Sequence, residues 1–396
     1  MTDSPVAESI GRIASTAHRF FQFFSDYGPM VEQAGPAHSD IGAGKPTAPA
    51  IDGYAEALRN NSESDDPTWF AYTMSLPAAQ AAAAESLNAV LGSDYRPEDI
   101  LMTNAAMAGL AVTLRAVCDP GDEVIIVCPP HFLYEPIIMG TGAHAVRVRM
   151  REDDFDLDLG AITAAFTERT RAIIVNSPHN PTGRIYPPAT LQSLADLLQD
   201  ASARNGRTVY LLSDEAYQRI VFDQNRFESP TAFYAPSFLV YTYGKTLLTP
   251  GQRLGFVAIR RDAPHREDLI QAVTVAQLVN GWMWPNALLQ HATRELEGLT
   301  IDVPHLQDRR DRTVAALREA GYSVHVPEAT FYLLPRSPIS DDEKFVRMLA
   351  ERDVFTMPGS LLEAPGYFRI SLTGSDAMID RALPVFAQMF AEVGGS

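Results

Sequence analysis

The chain has 396 residues, 46% of them hydrophobic and 20% charged, with a formal net charge of −17. Its length exceeds the ~250–300 residues at which a single core usually stops growing, so two domains are expected, and the apolar content excludes a disordered chain. The negative charge disfavours a broad nucleic-acid footprint or a polybasic membrane contact, but it leaves room for a local cationic pocket that takes a small anion. No apolar run approaches the ~20 residues of a membrane span and the N-terminus has no basic segment, so a cytoplasmic protein is expected. Cys118 and Cys128 are the only cysteines, and their spacing is neither that of a redox pair nor that of a zinc site. They read as buried apolar positions in a reducing compartment, and no metal site is expected.

In chain order, residues 8–24 carry apolar positions at helical spacing with Phe20, Phe21, Phe23 and Phe24 concentrated among them. The face either packs on the body of the protein or covers a substrate pocket. Residues 40–49 and 60–68 read as irregular connections, and the alanine-rich stretch 78–90 as a helix. A turn at Ala105, Ala106 and Met107 leads into a helix over 110–117. Residues 123–128, 171–176, 208–213 and 238–242 are short β-branched or aromatic apolar runs, separated by helix-like stretches such as 188–204. Apolar strands alternating with helices predict an α/β chain with a mostly parallel sheet covered by helices on both faces. After about residue 299 the character becomes charged and helix-favouring over 306–320, then mixed. The expected division is a large domain over 46–295 and a smaller α+β domain built from 1–45 and 296–396.

Polar clusters follow each apolar run: Pro129-Pro130-His131-Phe132, Pro178-His179-Asn180-Pro181-Thr182-Gly183, Asp214-Glu215-Ala216-Tyr217, and Lys245. Sheets of this kind bind ligands at the carboxyl ends of their strands, so the four clusters should share one rim. Lys245 lies among hydroxyls and glycines with Arg253 eight residues on. A lysine amine condenses with an aldehyde, and the Thr242 hydroxyl and Arg253 guanidinium are natural phosphate ligands. Pyridoxal 5'-phosphate meets both needs. Taken alone, Lys245 reads equally as a solvated turn residue, Asp214 as a helix cap, Asn180 as a turn former and Tyr217 as core.

Asn176-Ser177-Pro178-His179-Asn180-Pro181-Thr182-Gly183, Asp214-Glu215-Ala216-Tyr217 and Gly366-Tyr367-Phe368-Arg369-Ile370-Ser371, in this order with the lysine segment, give the chain a resemblance to the fold type I pyridoxal-phosphate enzymes of the class I/II aminotransferase family. The resemblance implies that Lys245 forms an internal aldimine with the cofactor and then serves as the base. It implies that Asp214 partners the pyridine nitrogen, and that Asn180 and Tyr217 hydrogen-bond the phenolic oxygen, with Asn180 also near the substrate. Thr242, Arg253 and the amides of Ala105, Ala106 and Met107 would hold the phosphate. His131, with Phe132 as rival, would stack on the cofactor ring. Arg369 would clamp the substrate's α-carboxylate, with a backbone contact from Gly44. Tyr72 is similar to the tyrosine that reaches the neighbouring subunit's phosphate, which implies a homodimer with shared sites. The chain departs from the family at Pro77, Ala82, Ala105, Met107 and Ala329.

The expected reaction transfers an amino group between an L-amino acid and a 2-oxo acid. Relatives that carry out elimination or replacement, cyclisation or oxidation keep the same cofactor residues, so a specialised enzyme is the alternative, and a non-catalytic cofactor-sensing domain a remote one. Asn280-Gly281-Trp282-Met283-Trp284-Pro285 contains no arginine to clamp an acidic side chain. With the aromatic N-terminal segment, this points to a large or apolar substrate, although Trp282 and Trp284 read equally as interface core.

Overall fold

A computed structural model describes residues 5–42 and 50–394. Gly44 and the rest of 43–49 lie outside the described residues. The body of the protein is built on seven strands: β1 (Ile100–Thr103), β2 (Glu123–Cys128), β3 (His144–Arg149), β4 (Thr170–Asn176), β5 (Tyr210–Asp214), β6 (Ser237–Thr242) and β7 (Gly255–Ile259). Their spatial order is β1-β7-β6-β5-β4-β2-β3. β3, β2, β4, β5 and β6 are mutually parallel, whereas β7 runs antiparallel between β6 and β1.

The near-continuous apolar character of β2, β4, β5 and β6 follows from burial on both faces. One face packs on the helix Ala105–Val117 through a core that includes Leu110, Val124, Leu212 and Val240. The other packs partly on the helix Pro188–Asn205 through Ile125, Ile173, Leu194 and Leu198. β3 is the exposed edge, and its His-Ala-Val-Arg-Val-Arg sequence alternates accordingly.

The C-terminal part carries a three-stranded sheet of Met357–Pro358, Phe368–Ser371 and Tyr332–Leu333, covered partly by the helices Val303–Glu319 and Asp376–Val393. The N-terminal strand Ser39–Asp40 pairs in parallel with Val354–Phe355, which places both ends of the chain in one body. Its core, with Ile41, Phe345, Phe368 and Phe386, also takes in Tyr217 and Phe222 from just beyond β5. The two sheets are therefore joined by shared apolar packing beside the end of β5.

The N-terminal helix spans Glu8–Gln33, longer than the periodic stretch 8–24, because Tyr27 extends the apolar face and is buried. The helix continues through Pro29. No helix among the described residues is long and apolar enough to cross a membrane. Cys118 and Cys128 are buried, free thiols, each pushed up to about 12 by burial in the first place.

Candidate active site

The carboxyl ends of the parallel strands open onto a cavity of about 170 Å³ lined by Asn180, Asp214, Tyr217, Thr242, Lys245 and Arg253, with Ala106, Met107, His131 and Phe132 closing it. The sheet order explains the convergence. Asp214 ends β5 and Thr242 ends β6, the neighbouring strand, while Asn180 follows β4 on the other side.

Asn176, the last residue of β4, ties these ends together. Its amide nitrogen donates to the Asp214 carbonyl at 2.8 Å and its Oδ1 accepts from the Asn180 backbone N–H at 2.8 Å. The Asp214 side chain is only 5% exposed. Its Oδ2 accepts the Tyr134 hydroxyl at 2.6 Å and its Oδ1 the Ala216 N–H at 3.3 Å. Burial raises the Asp214 pKa, and Tyr134, Ala216 and the Lys245 cation act against that rise. A buried carboxylate so placed is stabilised further by any cation brought into the cavity.

Thr242 caps the short helix Tyr243–Thr246, its hydroxyl accepting the Gly244 N–H at 3.3 Å. That cap sets Lys245 just beyond the strand end, with Nζ 5.9 Å from the Tyr217 ring and 6.0 Å from the Phe331 ring. Arg253 donates from Nη1 to the Pro250 carbonyl at 2.6 Å, which fixes the loop that leads into β7. β7 begins at Gly255, paired with Thr242 on one side and Thr103 on the other. A Cβ at Gly255 would collide with the Tyr241 carbonyl oxygen and meet the Ala105 Cα at 2.9 Å.

Ala105 opens the helix Ala105–Val117 with φ of +68°, a left-handed conformation that an L side chain adopts at a cost. It thus retains the backbone shape of the glycine usual in the resembled family while carrying a methyl group. The helix N-terminus presents the amides near Ala106 and Met107 to the cavity, a setting that favours an anion.

Arg369 sits on the middle strand of the C-terminal sheet, 2% exposed, and reaches across to the large sheet. Nη1 donates to Asn180 Oδ1 at 3.4 Å and Nη2 to the Gly42 carbonyl at 3.0 Å, while Nε is buried without a partner among the described residues. The guanidinium carbon lies 4.3 Å from the centre of the Tyr332 ring. Among the described residues no carboxylate forms an ion pair with Lys245, Arg253 or Arg369, although acidic side chains pair with most other arginines of the chain. In a chain of net charge −17 these three cations are kept for something else.

His131 and Phe132 both line the cavity and stack on each other, ring centres 4.4 Å apart. Burial, with the cations of Lys245 and Arg369, holds the His131 pKa down to about 3, so the ring is a neutral flat surface. Tyr72 lies elsewhere. It is 84% exposed, with its ring 4.8 Å from that of Trp284 on the outer surface.

A sequence pattern for aminotransferases of class I and II matches residues 40–386. The chain belongs to that family. As a class I/II aminotransferase it is a pyridoxal-phosphate-dependent transferase. It is 28% identical over 353 residues to the aspartate/prephenate aminotransferase of Thermus thermophilus, covering 88% of this chain and 89% of the relative. It is 31% identical over 291 residues to a probable N-succinyldiaminopimelate aminotransferase of Mycobacterium tuberculosis, 70% of each chain. An amino transferase structure from Eubacterium rectale superposes with a TM-score of 0.90 at 27% identity, covering 98% of this chain and 99% of the other.

The residues present fit the cofactor. A lysine amine, a buried carboxylate without a cationic partner, a helix N-terminus and an unpaired guanidinium surround one cavity. Two further aromatic hydroxyls contact these residues and escaped sequence reasoning. Tyr134 meets Asp214 across 80 residues of chain, and no motif announces that contact. Tyr332 is buried against Arg369, and no motif marks it either. Burial works to raise the Tyr332 pKa, but the Lys245 and Arg369 cations and the hydrogen bond with Tyr217 outweigh it. The Tyr217 phenol is raised, first by burial.

Proposed function

We propose that this aminotransferase moves an amino group from an L-amino acid to a 2-oxo acid, with Lys245 Nζ as the amine that condenses with the cofactor's aldehyde. The bound cofactor supplies an electron sink for the charge left at the donor's α-carbon. Asp214 would hold the proton on the pyridine nitrogen, its carboxylate kept ionised by the Tyr134 hydroxyl and the Ala216 N–H. Asn180 and Tyr217 would hydrogen-bond the phenolic oxygen. Thr242, Arg253 and the first amides of the helix at Ala105 to Met107 would take the phosphate, and His131 would lie flat on the ring, with Phe132 behind it. Arg369 would receive the α-carboxylate on its planar fork, where the orphaned Nε supplies one donor. Lys245 Nζ would be the base that removes the donor's α-proton.

The observation that carries this reading is the set of cations without acidic partners: Lys245 and Arg253 line the cavity with Asp214, and Arg369 reaches Asn180 at its wall. Tyr72, exposed beside Trp284, supports a homodimer in which it serves the partner's phosphate. The pairing of Ser39–Asp40 with Val354–Phe355, outside the seven-stranded sheet, supports a cofactor-binding domain over 46–295 and a small domain from 1–45 and 296–396. The test mixes the loaded enzyme with an amino acid alone. One equivalent of 2-oxo acid per site, with the cofactor left in its amine form, is expected, and Lys245→Ala should abolish both this and the visible absorbance. Release of ammonia in place of cofactor amination, or turnover by Lys245→Ala, would refute the assignment.

A further inference from the structure

Two buried phenols from distant parts of the chain meet beside the cavity. Tyr217, just beyond β5, lines it, and Tyr332 comes from an edge strand of the C-terminal sheet. Their ring centres are 6.0 Å and their planes 75° apart, and each residue is only 3% exposed. Lys245 Nζ stands 5.9 Å from the Tyr217 ring, and the Arg369 guanidinium carbon 4.3 Å from the Tyr332 ring. The two hydroxyls are hydrogen-bonded to each other. A phenol has one proton to give, so the direction of this bond decides what Tyr217 can offer to the cavity. The charged groups facing the pair are Lys245, Arg369 and Asp214. Burial, the Tyr332 oxygen and Asp214 hold the proton on Tyr217 against the pull of Arg369. Burial acts in the same sense on Tyr332, but there the Lys245 and Arg369 cations outweigh it. Tyr217 is therefore the donor and Tyr332 the acceptor.

We propose that Tyr332 is a positioning residue whose oxygen competes with the cofactor's phenolic oxygen for the single Tyr217 proton. The inference rests on the amino-transfer reading above, in which Tyr217 reaches that phenolic oxygen. Donation from Tyr217 to the phenolic oxygen draws off charge that would otherwise hold a proton at Lys245 Nζ, and so lets that proton leave at lower pH. Tyr332 turns the Tyr217 hydroxyl toward the C-terminal sheet and thereby holds the proton at Lys245. Arg369 ties this competition to the substrate. An α-carboxylate received on Arg369 offsets one of the two cations that make Tyr332 the acceptor, and the Tyr217 proton swings toward the cavity as the donor arrives.

The first readout is the pH midpoint of the cofactor's absorbance change in the loaded enzyme, for wild type, Tyr332→Phe, Tyr217→Phe and the double variant. Phenylalanine at 332 keeps the ring against Arg369 and removes only the competing oxygen. Tyr217→Phe should move the midpoint upward and Tyr332→Phe downward, each by about 0.5–1 pH unit. The double variant should match Tyr217→Phe, because Tyr332 acts through it. The second readout is phenolate absorbance against pH in the full chain freed of cofactor. One of its 14 tyrosines should ionise below the ordinary value of about 10, disappear in Tyr332→Phe and move upward in Arg369→Gln. A Tyr332→Phe midpoint that stays or rises, or a wild type without an early phenolate, would overturn the proposal while amino transfer stands. So would an early phenolate that survives Tyr332→Phe. If Tyr217→Phe leaves the midpoint in place, the placement of Tyr217 on the phenolic oxygen falls and this inference with it.

Discussion

Tyr134→Phe removes one oxygen atom, yet it should move the pH dependence of the whole reaction. The Tyr134 hydroxyl donates to Asp214 Oδ2 at 2.6 Å with both groups buried, the short separation of a charge-assisted O–H···O⁻ bond. Bonds of this class contribute about 1.5–3 kcal/mol. The carboxylate alone benefits, so the loss raises the Asp214 pKa further, and about 1.36 kcal/mol corresponds to one pH unit. Burial has already raised it. Because the ionised carboxylate is the form that supports a protonated pyridine nitrogen, activity falls on the acid side as Asp214 takes up a proton. Its acid limb should therefore shift upward by about 1–2 pH units in Tyr134→Phe. The assay is the amino-donor half-reaction measured from acid to alkaline pH. An acid limb that coincides with the wild type would refute the claim that Tyr134 keeps Asp214 ionised.

Tyr332→Leu should raise the donor KM about 2–30-fold, because a cation–π contact of about 0.5–2 kcal/mol fixes the Arg369 plane. Tyr332→Phe, which retains the ring, should leave KM much closer to wild type, and equal effects of the two would show that the stack is irrelevant. Ala105→Gly relieves the left-handed φ of +68°. Balancing about 1–2 kcal/mol of strain against roughly 0.5–1 kcal/mol of added chain entropy gives a gain of about 0.5–1 kcal/mol, a Tm rise of about 1–2 °C by calorimetry. His179 is pushed down to about 3 by burial, against the hydrogen bond to the Pro129 carbonyl. Its stabilising contribution is therefore complete above the unfolded value of about 6.5 and is lost as pH falls toward 3. Urea midpoints should fall with acidification across that window, and His179→Gln, although less stable overall, should show a flatter slope; an unchanged slope would contradict the burial argument.

The parts of the structure legible in the sequence are those where one physical demand dominates. β2 spans 123–128 as expected, and β4 and β6 begin one residue earlier than expected, because burial on both faces leaves no polar positions within them. Asn180, Asp214, Thr242 and Lys245 were legible for a related reason: each directly follows or ends such a strand, and parallel topology delivers them to one edge. β7 was not foreseen, since its antiparallel placement between β6 and β1 depends on the turn through Pro250 to Leu254 and on pairing with residues 100–103. Tyr134 and Tyr332 could be recognised only once the fold had joined distant segments. Nothing in the local sequence at Ala105 signals a left-handed backbone, because alanine there is an excellent helix former by propensity.

Gly255 has a consequence for the dimensions of the site. Its two strand partners lead to opposite sides of the cavity: Thr242 to Lys245, and Thr103 to the N-terminus of the helix that starts at Ala105. One missing methyl group thus acts as a gauge block, setting how far Lys245 stands from the first amides of that helix. Any side chain at 255 would wedge β6 and the start of that helix apart, and the proposed seat would no longer match a molecule of fixed length at both ends.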